Sequence, residues 1–194
     1  MRTITVNNNV TLDGVMQAPG SEQEDVRDGF RYGGWARPYN DEVKGRVMAE
    51  GMSRPGEMLF GRRTYEQLRS VFQGRTDNPF SPLLDNTMKH VVSNTLTEPL
   101  PWQNSARHSG DAAESIAALK RTPGKNLVIL GSGLLVQSLL RHDLIDEMIL
   151  TIHPLVLGAG RRMFADDGTF AKFTLAESVP TTTGAIIATY RLTH

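Results

Sequence analysis

Three short stretches of this 194-residue chain place small residues and hydrogen-bond donors where a strand-like run gives way to a helix or a loop. Gly131-Ser132-Gly133 follows the apolar run 127–130 and precedes a helical pattern over 134–140. Glycine there permits unusual backbone angles and a close approach of a ligand. The first turn of a helix leaves N–H groups unpaired at the positive end of its dipole, so the junction suits an anion such as a phosphate. Gly61-Arg62-Arg63-Thr64 repeats the arrangement after the strand-like run 57–60 and adds two guanidinium groups and a hydroxyl. Ser93-Asn94-Thr95 ends the strand-like run 89–95 with three small polar residues. Each stretch alone is also readable as a tight turn, with solvated arginines at the second. In open α/β sheets, however, ligands gather at the carboxyl ends of strands, and three such ends in one chain together point to a dinucleotide.

Two further residue types carry chemistry. Asp13, in Asp13-Gly14 after the first strand-like segment, is either a carboxylate at a site or an Asp-Gly turn whose side chain bonds its own backbone. Residues 21–39 are irregular and glycine-rich yet hold Phe30, Tyr32, Trp35 and Tyr39. Aromatic side chains in such a segment form either a flap packed on the core or a lining for a planar ligand, and Trp35 is the expected lid or stacking face.

The elements that must position these residues follow from periodicity. Residues 127–130 are apolar without alternation, as in a strand covered on both faces of a parallel sheet. Asn40 is the expected N-cap of a helix running to about residue 52, and Asp111 that of a helix over 112–120. Residues 74–87, with Pro79 and Pro82, read as a loop holding at most one helical turn, and 102–108 as a weaker strand. The alternation in 170–178 and 185–192 predicts an antiparallel hairpin that closes the sheet. No repeat or linker divides the chain, so one domain over 1–194 is expected.

Composition narrows the function. The 39% hydrophobic and 22% charged residues are those of a globular domain, and Lys plus Arg equals Asp plus Glu at 21 each. No overall basic field therefore recruits nucleic acid or an anionic membrane. The absence of cysteine removes disulfides, thiolate nucleophiles and cysteine-ligated metals. The five histidines lack ligand spacing, so no metal is expected. With no apolar leader or bilayer-length segment, the expected address is cytoplasmic.

Five ordered motifs resemble the dihydrofolate-reductase-like superfamily, and most closely the RibD C-terminal domain, the reductase half of the riboflavin-biosynthesis deaminase/reductase. They are Asp13-Gly14, residues 61–66, residues 91–96, Gly131-Ser132-Gly133 and residues 154–160. The resemblance covers nearly the whole chain. It implies a three-layer αβα fold with a mixed, mostly parallel sheet and an antiparallel C-terminal hairpin. It also implies an NADPH-dependent reductase of a flat heterocycle, pyrimidine or pterin-like, with NADH as the other candidate cofactor. By position, Gly61, Arg62, Arg63 and Thr64 would hold the pyrophosphate and 2′-phosphate side. Ser93, Asn94 and Thr95 would border the adenosine. Leu130, Gly131, Ser132, Gly133, Leu134, Leu135 and Val136 would wrap the pyrophosphate and nicotinamide side. Val15 and Met16 would approach the nicotinamide, with Asp13 as the carboxylate beside it, and Thr151 would line the substrate pocket. Relatives of this kind commonly form homodimers. Two departures stand out: no acid aligns with the pterin anchor of the first helix, and Asn94 replaces a frequent arginine. The competing function is a dinucleotide-binding module without turnover, serving as a sensor or partner protein.

Overall fold

The computed structural model of the protein describes residues 1–78 and 80–193. Pro79, named above in the loop, lies outside them. Eight strands form one sheet: β1 (Ile4–Thr11), β2 (Gly56–Gly61), β3 (Lys89–Val92), β4 (Ser105–His108), β5 (Asn126–Leu130), β6 (Glu147–His153), β7 (Phe173–Pro180) and β8 (Ile186–Leu192). Their spatial order is β4-β3-β2-β5-β1-β6-β8-β7. The first six run parallel, while β8 pairs antiparallel with both β6 and β7. Five α-helices accompany them: α1 (Glu42–Ser53), α2 (Arg62–Phe72), α3 (Ser81–Asn86), α4 (Ala112–Arg121) and α5 (Gly133–Leu140). The chain is thus a mixed, mostly parallel sheet with an antiparallel C-terminal pair, flanked by helices.

β1 lies centrally between β5 and β6, and its burial alternates along the strand. Ile4, Val6 and Val10 share one face with Leu127, Ile129, Met148 and Leu150, and Ile116 of α4 and Leu135, Val136 and Leu139 of α5 close over them. Removing the side chain of one such fully buried isoleucine to alanine costs about 2–5 kcal/mol. On the other face, Phe60 and Val91 receive Tyr65 of α2, Leu84 of α3 and Trp102.

Several boundaries differ from the sequence expectation, each for a local reason. Asp41, not Asn40, caps α1. Its Oδ1 accepts from the Lys44 N–H at 2.8 Å, and its Oδ2 accepts from the Thr182 and Thr183 N–H groups and the Thr182 hydroxyl. These donors hold its carboxyl down to about 2 and tie α1 to the β7–β8 turn. β3 stops at Val92 because the Ser93 hydroxyl accepts the Thr95 and Leu96 N–H groups at 3.2 and 3.0 Å. β4 begins only at Ser105. Trp102, expected at its start, is fully buried beside Tyr65 and donates its indole N–H to Asp85 at 2.6 Å. The helical turn expected within residues 74–87 is α3, and Lys89 stabilises its C-terminal end by donating to the Leu84 and Thr87 carbonyls. No helix among the described residues is long and apolar enough to cross a membrane.

Candidate active site at the carboxyl edge of the sheet

The parallel strands bring three of the sequence junctions to one edge. Gly61 pairs with Val92 in register, so the β2–α2 turn and Ser93 stand side by side. The β2 and β5 exits are stitched directly: the Gly61 N–H donates to the Ser132 hydroxyl at 3.0 Å, and the Ser132 N–H donates to the Thr64 hydroxyl at 3.1 Å. Ser132 adopts left-handed backbone angles, φ 55° and ψ 47°, a conformation unusual for a residue with a Cβ. Gly131 before it has φ 66°, and a Cβ there would stand 3.2 Å from Thr64 Cγ2. These turns therefore need small residues on both sides.

Asn8 anchors the second turn from below. Its Oδ1 accepts the Gly131 N–H at 2.6 Å, and its Nδ2 donates to the Gly131 carbonyl at 3.2 Å. The sequence reading missed this residue. Its signal was the run Asn7-Asn8-Asn9 inside a strand, where a buried polar side chain must find partners.

The helix starts fall into two groups. α1 and α4 are capped by Asp41 and Asp111, whose carboxylates accept from Lys44 and Glu114 N–H groups. α2 and α5, the two that begin at the stitched junction, have no side-chain cap among the described residues. Their first-turn N–H groups are free to face an anion, and no carboxylate in either first turn competes for it.

The remaining candidates have the following surroundings. Arg62 pairs with Glu66 one turn along α2 at 3.0 Å and Arg63 is exposed, so both guanidinium groups stand at the outer mouth. Ser93 is buried, Thr95 is exposed, and the Asn94 carboxamide is engaged with the Gly110 backbone at 2.6 and 3.2 Å. Leu130 is half-buried, and Leu134 is 68% exposed at the entrance. Leu135 and Val136 point into the core and offer the edge only backbone. Met16 leans over the start of α5, with Sδ 2.8 Å from where a Gly133 Cβ would stand. Val15 is fully buried among Ala18, Phe30, Trp35 and Ala36, so its side chain is packing rather than lining. Thr151 is buried on β6, opposite Asn9 of β1.

Two candidates are engaged by neighbours within the protein. Asp13 takes the turn role: its carboxylate accepts the Thr11 hydroxyl at 2.6 Å and the Leu157 and Gly158 N–H groups at 3.2 and 2.9 Å. The Thr11 hydroxyl, more than the two amides, holds its carboxyl below the usual range, which suits a clasp between loops and not a proton donor. Trp35 is 7% exposed, its indole N–H donates to the Gln17 carbonyl at 2.7 Å, and its ring stands edge-on to His153 at 5.1 Å. It is the core of the flap and not an exposed stacking face. Gln17, missed in the sequence, staples that flap by donating to the Asp25 and Arg27 carbonyls and accepting from the Arg161 N–H.

Residues 2–187 match the RibD C-terminal domain family. The chain belongs to that family. Among relatives, the uncharacterized Bacillus subtilis protein YyaP is 30% identical over 115 residues, 56% of this chain and 59% of that protein. The chain therefore matches little more than half the length of this relative. Among solved structures, a putative riboflavin biosynthesis protein from Shewanella sp. PV-4 superposes with TM-score 0.69 at 23% identity, covering 99% of both chains. Dihydrofolate reductase from Enterococcus faecalis, complexed with NADP(H), superposes with TM-score 0.63 at 13% identity, covering 99% of this chain and 97% of its own. This RibD C-terminal domain thus has a dihydrofolate-reductase-like fold.

Proposed function

We propose that the protein is a reductase that uses NADPH to reduce a flat heterocyclic substrate of pyrimidine or pterin type. Family membership supports a reductase-type activity, and the observation that carries the cofactor assignment is the pair of uncapped helix starts at the junction stitched by Ser132 and Thr64. When bound, the reduced nicotinamide supplies the hydride. The chain's own residues do the positioning. N–H groups at the starts of α2 and α5 hold the pyrophosphate, Gly61, Gly131 and Gly133 let it approach, and Arg62 and Arg63 meet the 2′-phosphate. Ser93, Asn94 and Thr95 border the adenosine. Met16 and the backbone of residues 130–136 hold the nicotinamide end toward β1, and Thr151 lines the acceptor pocket. The flap built on Trp35 screens that pocket from water. The protein acts as a homodimer through the exposed β7 edge.

Titration of cofactor fluorescence with NADPH and NADH, followed by oxidation assays across a panel of flat heterocycles, tests the proposal. Tighter binding of NADPH and turnover of at least one heterocycle are expected. Binding without turnover across the panel would favour a sensor module, and no binding of either nucleotide would remove both readings. Arg63→Ala is expected to narrow the preference for NADPH over NADH while leaving NADH affinity unchanged.

A further inference from the structure

On the sheet face opposite α4 and α5, a strip across β5, β1 and β6 is incompletely covered. Asn7, Asn9, Val128, Leu130 and Ile149 are only half-buried there. Their neighbours pointing the other way, Val6, Val10, Leu127 and Ile129, are at most 4% exposed. The strip begins below the cofactor edge and so is the natural place for the acceptor, a statement that rests on the function proposed above.

At its carboxyl end stand three residues whose chemistry is unused. Lys44, the sole buried residue of α1, is 5% exposed, and among the described residues its ammonium has neither an ion pair nor a hydrogen-bond partner. Asp41, the carboxylate whose charge reaches it, is committed to its capping and β7–β8 contacts. His153 is fully buried between the rings of Trp35 and Tyr39, at 5.1 and 5.3 Å, and its Nε2 lies 2.9 Å from Asn9 Oδ1. Burial, with the nearby Lys44 charge, pushes His153 down to about 4, so the imidazole is neutral at neutral pH. The carboxamide oxygen accepts only, so the His153 proton sits on Nε2 and fixes the Asn9 amide, leaving its two N–H donors for the strip. The Lys44 stem is buried while its ammonium still reaches solvent, so it stands at the strip as an unpaired cationic donor that an oxygen of a ligand can meet.

We propose that Lys44 and Asn9, the latter held by His153 and paired in register with Thr151, recognise the acceptor. They select a planar ring that presents a carbonyl or anionic oxygen and reject a ring carrying an amidinium-type cation. The lining holds donors and a positive charge, and charge that reaches a conjugated carbonyl oxygen during reduction would be stabilised there.

The test uses three ring probes that differ in one group: benzoate, benzamide and benzamidine. Each is titrated calorimetrically into the full chain, with NADPH titrated separately into the same preparation. Benzoate is expected to bind tightest and benzamidine at least about tenfold more weakly. Lys44→Met should weaken benzoate by about tenfold or more while NADPH affinity stays within about twofold, and Lys44→Arg should retain benzoate. Asn9→Leu should weaken benzamide. Benzamidine binding as tightly as benzoate, no probe binding at millimolar concentration, or benzoate affinity unchanged in a folded Lys44→Met protein would each overturn the proposal. If Lys44→Met does not fold, the order of the three probes on the wild-type chain decides alone. NADPH binding without the probe order sinks this site and spares the reductase reading; the probe order without NADPH binding supports this site and sinks that reading.

Discussion

Asp13 shows how a residue that reads as chemistry becomes architecture once its partners are seen. Its carboxylate accepts from Leu157 and Gly158, more than 140 positions away, and so ties the loop after β1 to the corner after β6. Its folded pKa lies below its unfolded value, so the stability it contributes is present above pH about 4 and is lost as the pH falls further. Asp13→Asn is expected to destabilise the protein by about 1–3 kcal/mol at neutral pH and to weaken its acid sensitivity below pH 4, as read by urea denaturation across pH. His153 acts in a higher window. A base whose folded value falls to about 4 is protonated first in the unfolded chain, so stability is full above pH about 6.5 and declines as the pH drops toward 4, by on the order of 3 kcal/mol. His90 and His108, also lowered by burial, contribute with the same sign. His153→Gln, which keeps a donor for Asn9 and does not titrate, should therefore reduce but not abolish the loss between pH 6.5 and 4.

At the scale of elements, what matters is how two strand–helix units are joined. The Gly61–Ser132 and Ser132–Thr64 bonds make the starts of α2 and α5 one rigid surface, and Asn8 holds it to the central strand. Gly131→Ala would add strain at φ 66° and press on Thr64 Cγ2, so a loss of about 1–3 kcal/mol in denaturant stability is expected. Gly133→Asp separates binding from folding. A carboxylate at the start of α5 favours the helix dipole, and the Met16 side chain that must move is flexible, so the melting temperature should hold. NADPH affinity should fall by more than about tenfold, because in the proposed mode the new charge would face the pyrophosphate. Unchanged NADPH affinity would place the cofactor elsewhere.

For the whole molecule, the sheet has two unlike edges. β7 runs along one of them with most of its residues exposed, Leu175 at 52%, and Phe170 just before it is 85% exposed. An exposed edge strand with apolar side chains is a template for pairing with a second chain. Sedimentation of the wild-type protein is expected to give a dimer, and Leu175→Lys a monomer with unchanged NADPH binding. A wild-type monomer at micromolar concentration would rule out this edge as the subunit contact.

Local chemistry was legible in the sequence wherever cause and effect lie within a few residues. The apolar run 127–130, the glycines that end it and the alternation of the C-terminal hairpin announced β5, the β5–α5 turn and the β7–β8 pair, and five ordered motifs announced the family. The same locality left Asp13 open between turn and site, and the aromatic segment with Trp35 open between a flap packed on the core and a ligand lining, because nothing near Trp35 in the chain shows His153. Only tertiary structure brought Lys44, His153 and Asn9 to one end of one strip, and only strand register set Ser93 beside Gly61. Turn and helix preferences are short-range properties of the backbone. Burial, and with it the protonation of His153, is set by neighbours more than a hundred residues away.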